Sequence, residues 1–240
     1  MTPGAKISAQ GMQNEKQMHE VLADNLANSS TTGYKSYGIV HKLKAQESEA
    51  ASPGSEAYDT SFNFAQGAMR ETGNPLDIAI QGEGFFAVLD AQGDIAYTRN
   101  GHFNIDSNGF LVTQHGDQLL DGAYAPIFIG IEGTSTVNIH RNGSIMVNGV
   151  YVTSLRPFKF PDDTSIVKKE QNKYMPAQEG VVLESNFDST LQQGFLEQSN
   201  VSSIKASTDM IQIQRDYEAN EKALKVQMET MEMLMRISDI

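Results

Sequence analysis

Cysteine is absent from the 240 residues, which excludes a disulfide framework, thiol catalysis and any zinc site that uses sulfur. The compartment stays open, since a chain without thiols suits an oxidising space as well as the cytosol. Long apolar runs are also missing. Nothing approaches the roughly 18 residues that span a bilayer, so no direct membrane insertion is expected. The opening residues, Met1-Thr2-Pro3-Gly4-Ala5-Lys6, lack the apolar stretch of a secretory signal. A chain leaving the cytoplasm with this start needs a route other than general secretion. No basic run of five or more residues occurs, and 30 acidic against 18 basic residues give a net charge of −12. Phosphate recognition needs a basic face, so nucleic acid is excluded as a partner. Apolar residues are scarce at 39% while glycine is plentiful at 20 residues, a balance that implies much polar, turn-rich surface.

Catalytic patterns are missing as well. Gly82-Glu83-Gly84 lacks the third glycine, the following helix and the lysine of a phosphate cradle, and reads as a β-turn. Asp106-Ser107-Asn108-Gly109 opens like a calcium loop, but no glutamate follows where an EF-hand needs one. The histidines at 19, 41, 102, 115 and 140 share no metal-ligand spacing, and no Gly-x-Ser-x-Gly nucleophile motif occurs. The expectation is a protein without enzymatic activity, cofactor or metal.

What is present begins with the tail. Neither glycine nor proline interrupts Val201 to Ile240, and Asn200 stands where an N-cap belongs. Met210, Tyr217, Leu224 and Met231 recur every seventh residue, with Ile213, Met228 and Leu234 three or four places from members of that series. That stripe is of the kind one helix buries against another. Near the other end, Ile7, Met18, Val21, Leu22 and Leu26 give a narrower apolar face over 7–27, weakened by Gly11. Alone that helix would be marginal in water. Residues 25–35, Asn-Leu-Ala-Asn-Ser-Ser-Thr-Thr-Gly-Tyr-Lys, read as a helix stop, with Gly33 suited to the left-handed conformation. Both helices are expected to be largely disordered in the free subunit and ordered only on assembly.

Between the ends the pattern shortens. From Asn74 onwards, short apolar runs alternate with turn residues, and Asn-Gly occurs at 100–101, 108–109, 142–143 and 148–149. That dipeptide is a strong hairpin signal. Strands are expected at 137–139, 144–147, 151–155 and 158–160. No helical pattern of useful length interrupts them, which speaks against a parallel βαβ sheet. The fold class is therefore α+β. Helices from 1–33 and 198–240 pair into a coiled-coil-like core domain, and a mainly antiparallel β domain over 74–178 is inserted between them. Residues 34–73 and 179–197 are expected to form an extended connector or β-hairpin region.

Three stretches carry a resemblance. Asn25-Leu26-Ala27-Asn28, followed by Thr-x-Gly-aromatic at 31–34 and then Lys35, resembles the N-terminal signature of the bacterial flagellar rod and hook axial proteins. Leu196-Glu197-Gln198-Ser199-Asn200, Asp209-Met210-Ile211 and Gln214-Arg215-x-Tyr217-Glu218 resemble the C-terminal signature of that family, and 74–86 with 97–101 resemble its middle domain. The likeness covers most of the chain and is weakest over 40–66 and 156–183. It implies a structural rod subunit polymerising with itself into a hollow helical shaft that carries torque from motor to hook. The implied partners are other rod and hook proteins, the flagellar type III export apparatus and the periplasmic ring bushing. The implied location is the basal body, and the assembly surface would comprise Asn25, Asn28, Gly33 and Asn200 with the apolar residues of both helices. The short segment from Lys35 to Asn74 leans towards the proximal rod type, whereas 212–218 looks closer to the distal type. The alternative is a soluble binding module closed as a coiled-coil dimer through its terminal helices.

Overall fold

The computed structural model describes residues 3–42, 57–130, 136–160, 166–170, 172–177, 183–186 and 188–238. Most of the connector expected around 46–61 lies outside them, as do Pro161, Asp162, Asp163, Val181, Val182 and Phe187. Two helices bracket the chain, α1 Pro3–Ala27 and α2 Ser203–Ser238. In between come β1 Tyr37–Lys42, β2 Ala57–Phe62, β3 Met69–Glu71, β4 Ile78–Gln81, β5 Phe86–Leu89, β6 Ile95–Thr98, β7 Phe103–Ile105, β8 Leu111–Thr113 and β9 Gln118–Leu119. They are followed by β10 Val137–Ile139, β11 Ser144–Val147, β12 Val150–Ser154, β13 Phe158–Lys159, β14 Ile166–Lys169, β15 Lys173–Pro176, β16 Glu184–Ser185, β17 Thr190–Gln193 and β18 Phe195–Glu197.

The contacts divide the chain into two compact units, one of Met1–Ser29, Tyr37–Ser61 and Val201–Ile240, the other of Ser30–Ser36 and Phe62–Asn200. In the first, the helical unit, α1 opens on Pro3, where a fixed φ suits the first turn and the missing N–H has no helical partner to lose. It closes at Ala27: Asn28 still gives the helical bond from its N–H to the Asp24 carbonyl at 3.1 Å and adds one from its side chain at 2.9 Å, but the next N–H, of Ser29, turns to the Leu26 carbonyl at 3.1 Å and ends the series. The N-terminus of α2 is set by Ser202, whose hydroxyl accepts from the Lys205 N–H at 3.4 Å. Asn200 is therefore not the cap of this helix. Strands β1 and β2 pair with each other. Among the described residues no helix is long and apolar enough to cross a membrane.

The β unit centres on a seven-stranded antiparallel sheet in the order β14-β15-β6-β5-β9-β8-β7, with a three-stranded meander β10-β11-β12 and the pairs β4–β17, β3–β18 and β13–β16. Ile78, Ile80, Phe86, Phe103, Leu111, Leu119, Ile145 and Leu191 fill a common core between these sheets. Since β4 takes its partner from β17 and β3 from β18, strand pairing carries this unit past residue 178 and below residue 74. A second, aromatic layer gathers Phe62, Phe64, Phe85, Phe160 and Tyr174 with ring centroids 5.2–6.0 Å apart.

The Asn-Gly dipeptides divide in role. Asn148 and Gly149, at φ 52° and 82°, form a two-residue hairpin turn directly between the paired Val147 and Val150. Asn100-Gly101 makes no hairpin, because β6 pairs with β5 and β15 while β7 pairs with β8. There the glycine serves a close crossing: its carbonyl accepts from Ile78 N–H at 2.9 Å, and a Cβ on it would overlap the Ile78 carbonyl oxygen.

Candidate functional site

Within the helical unit α1 and α2 pack against each other in antiparallel fashion. A Cβ added to Gly4 would meet the Gln227 amide at 3.1 Å, and one on Gly11 the Asn220 amide at 3.1 Å. Seven residues forward on α1 thus correspond to seven back on α2. Asn220 Nδ2 donates to Glu15 Oε1 at 2.7 Å across the seam. On α2 the half-buried positions Met210, Ile213, Asn220, Leu224, Gln227 and Met231 recur at three- and four-residue steps, and Tyr217, 37% exposed, falls on the same line. On α1 the matching line is Gly4, Ser8, Gly11, Glu15, Met18, Leu22 and Asn25, all half-buried or buried. Val21 and Leu26 flank it, half-buried. Ile7, expected on the apolar face, is instead exposed, because the small residues on either side of it bring the helices together along Gly4, Ser8 and Gly11. The side chain of Leu234 lies outside the described residues.

A second apolar set runs along the side of α2 away from that seam, where Ile204 is 81% exposed, Met233 66%, Val226 60% and Ile211 54%. Met228, 63% exposed, stands at the edge of the seam one turn beyond Leu224.

The polar signature residues have inward tasks. Asn25, buried, holds both main-chain groups of Tyr37: it donates to the carbonyl at 2.8 Å and accepts from the N–H at 3.2 Å. The Tyr37 phenol is pushed up to about 12 by burial and by the Asp24 carboxylate beside it. In the β unit, Asn200 accepts from Ser36 N–H at 2.8 Å and donates to the carbonyls of Asn63 at 2.7 Å and Ala65 at 3.0 Å. Gly33 does not end α1, which closes six residues earlier. It sits at φ 68° against the Arg99–Asn100 peptide, where any Cβ would overlap the Arg99 carbonyl, and its N–H donates to the Glu197 carbonyl at 2.7 Å. Both the left-handed backbone and the close approach demand glycine.

Sequence reading missed the centre of this arrangement. Glu197 is fully buried between two cations, accepting from Lys35 Nζ at 2.6 Å and from Arg99 Nη1 at 3.0 Å. The Gly67 N–H supplies a third bond to its Oε1 at 2.8 Å. Lys35 also donates to the Ala65 carbonyl at 2.8 Å and Arg99 Nη2 to the Gly82 carbonyl at 2.6 Å, while Arg99 Nε is buried without a partner. Burial pushes both cations below their ordinary values, and Glu197 pulls both back. Each of the three motifs quoted above contributes one member. Lys35 follows Gly33-Tyr34, Arg99 follows Tyr97-Thr98, and Glu197 follows Leu196. Their opposite signs were the available signal.

Of the histidines, His102 Nδ1 lies 2.6 Å from Asp77 Oδ1 and His140 Nε2 lies 3.1 Å from Met146 Sδ, each occupied locally. The arrangement can fasten chain segments together and present an apolar helix face.

Comparison with known proteins agrees with the resemblance. Three family patterns match: flagella basal body rod protein over residues 2–35, the flagellar hook protein FlgE/F/G D1 domain over 79–147, and the flagellar basal body rod FlgEFG protein C-terminal region over 192–237. The basal-body rod protein FlgF of Rhizobium meliloti is 32% identical over 209 residues, covering 85% of this chain and 84% of the relative. FlgF of Caulobacter vibrioides is 33% identical over 211 residues, 85% of each. FlgG of Buchnera aphidicola from Acyrthosiphon pisum is 30% identical over 268 residues, covering the whole of both chains. With both end signatures, the middle domain and full-length relatives in agreement, the chain belongs to the flagellar basal-body rod proteins, a family of structural proteins rather than enzymes.

Proposed function

We propose that the chain polymerises with copies of itself through its terminal helices, as a coiled-coil-like pair, into the hollow shaft of the rod. The observation that carries this reading is the second apolar set on α2. Single exposed apolar residues are ordinary, but Ile204, Ile211, Val226 and Met233 on the side of one helix away from its engaged seam mark an interaction surface. Burying four such side chains between neighbours supplies on the order of 10 kcal/mol gross, before ordering entropy is subtracted. When the patch and its acceptor are different surfaces and the rotation does not close, the product is a helical filament. Other rod and hook proteins would be its axial neighbours, the flagellar type III apparatus its exporter and the periplasmic ring bushing its surroundings. The short segment between Lys35 and Asn74 favours the proximal end of the rod.

The pair within one chain is weakly held. Glycines replace apolar side chains at Gly4 and Gly11, and Gln227 Oε1 and Glu15 Oε2 are buried without partners. That weakness suits a subunit that must thread a narrow channel and stay unpolymerised until it leaves it.

Ile211→Asp combined with Val226→Asp tests the proposal, because both side chains are exposed in the single chain on the side away from the seam. The melting of the purified variant is expected to match the parent, while incorporation into basal bodies and swimming in soft agar are lost. Wild-type swimming, or a parent protein that runs as one sharp dimer at every concentration, would overturn it. The half-buried Leu224 is a poorer choice, since its replacement also disturbs the seam.

A further inference from the structure

The four Asn-Gly dipeptides share one sequence but not one environment. In three of them the glycine is buried. Gly101 lies against the Ile78 carbonyl, Gly109 against the main chain of Gly130 and Gly143 against the Leu155 carbonyl. Gly109 and Gly143 also commit their N–H groups, to the Asp106 carbonyl at 3.1 Å and the His140 carbonyl at 2.9 Å. The fourth differs on each count. Asn148 and Gly149 are both exposed at the tip of the β11–β12 hairpin. A Cβ on Gly149 would meet nothing within 4 Å, and its N–H gives no hydrogen bond, among the described residues. The Asn148 side chain is held by its oxygen, since Oδ1 accepts from Thr136 N–H at 2.9 Å.

We propose that Asn148 is a site of spontaneous deamidation, where the Gly149 nitrogen closes on the side-chain amide and water opens the ring to aspartate and isoaspartate. Hydroxide takes the Gly149 N–H proton, and the freed nitrogen pair attacks Cγ of Asn148. A C–N bond forms there while the bond from Cγ to Nδ2 breaks, and Nδ2 leaves as ammonia with a proton from water. Water then adds to either carbonyl of the cyclic imide, and no other reactant is needed. Exposure lets hydroxide reach the N–H, and the lack of a Cβ on Gly149 leaves the approach to Cγ unhindered. The Thr136 N–H stabilises the negative charge that gathers on Oδ1 in the tetrahedral intermediate. At Gly109 and Gly143 the N–H must first leave its acceptor, and at Gly101 burial shuts hydroxide out. Opening at the main-chain carbonyl gives isoaspartate, which brings the side-chain carbon into the main chain. A two-residue turn has no room for it, so the pairing of Val147 with Val150 is lost. Both products add a negative charge to a chain already at −12. The inference concerns the single chain and stands whether or not copies polymerise.

The test incubates the purified full chain at mildly alkaline pH, folded and in urea, and follows each asparagine by tandem mass spectrometry. In the folded chain Asn148 is expected to deamidate about tenfold or more faster than Asn100, Asn108 and Asn142. In urea the four should draw level, since each is followed by glycine and nothing then shields it. Another of the four keeping pace with Asn148 in the folded chain, or a lead for Asn148 that persists unchanged in urea, would overturn the inference. In the isoaspartyl fraction, separated by chromatography, the amides of Val147 and Val150 are expected to exchange about tenfold or more faster than in the fresh chain. Exchange as slow as in the fresh chain would overturn the loss of the turn.

Discussion

Glu197→Gln is expected to destabilise the β unit by about 3–5 kcal/mol, the usual cost of breaking a buried ion pair from one side. The argument turns on what is left behind. Glu197 is the single anion between Lys35 and Arg99, all three buried, and its removal leaves two like charges facing each other in a low-dielectric site. Lys35→Met removes a cation but keeps the Arg99–Glu197 pair balanced. It frees only the Ala65 carbonyl and one lone pair of Glu197, and should cost about 1–3 kcal/mol. Urea unfolding of the purified chain, followed by tyrosine fluorescence since tryptophan is absent, measures both. A Glu197→Gln variant as stable as the Lys35→Met one would show that the triad is held by its hydrogen bonds and not by its charge. Because Lys35 precedes β1 and Glu197 closes β18, the same change loosens the points where the chain enters and leaves the β unit.

Gly101→Ala is expected to cost about 3 kcal/mol or more, although it adds only one methyl group. The added Cβ would overlap the carbonyl oxygen of Ile78, a main-chain atom at the start of β4. A side chain could rotate away, whereas this carbonyl cannot move without parting the Ile78 N–H from the Gly101 carbonyl. Phe86 stands on the same side, its ring 3.4 Å from the added atom. Gly73→Ala is the control: nothing stands within 4 Å of a Cβ there, so only the strain of its φ of 71° is expected, about 1–2 kcal/mol. Equal melting of the two alanine variants would show that the crossing at 101 adapts.

Much of the architecture was legible because it is local. The uninterrupted run that became α2, the helix stop near Asn28 and the strands around 137–155 follow from propensity and turn chemistry within a few residues. The type of these elements was therefore readable, and the Asn148-Gly149 turn even by its residue pair. Long-range facts were not. Asn200 looked like an N-cap because Asn commonly is one, yet Ser202 takes that task and Asn200 ties together segments more than 130 residues away in sequence. Gly33 was rightly given a left-handed backbone, but for helix termination, whereas its reason is the Arg99 peptide across the fold. On α1, hydrophobicity pointed to Ile7. The helices meet along glycine and serine instead, a choice that side-chain size makes and an apolar pattern does not show. Lys35, Arg99 and Glu197 could have been paired by sign, but no spacing rule connects residues so far apart.

The central claim is that the outer apolar face of α2 is open in the single chain and covered by neighbouring copies in the rod. One methionine on that face, Met233, 66% exposed, reports on it directly. Hydrogen peroxide oxidation of the free chain and of purified basal bodies, read by mass spectrometry at that residue, compares the two states. The account predicts rapid oxidation of Met233 in the free chain and about tenfold or greater protection in the assembled rod. Equal oxidation rates at Met233 in the two states would contradict it.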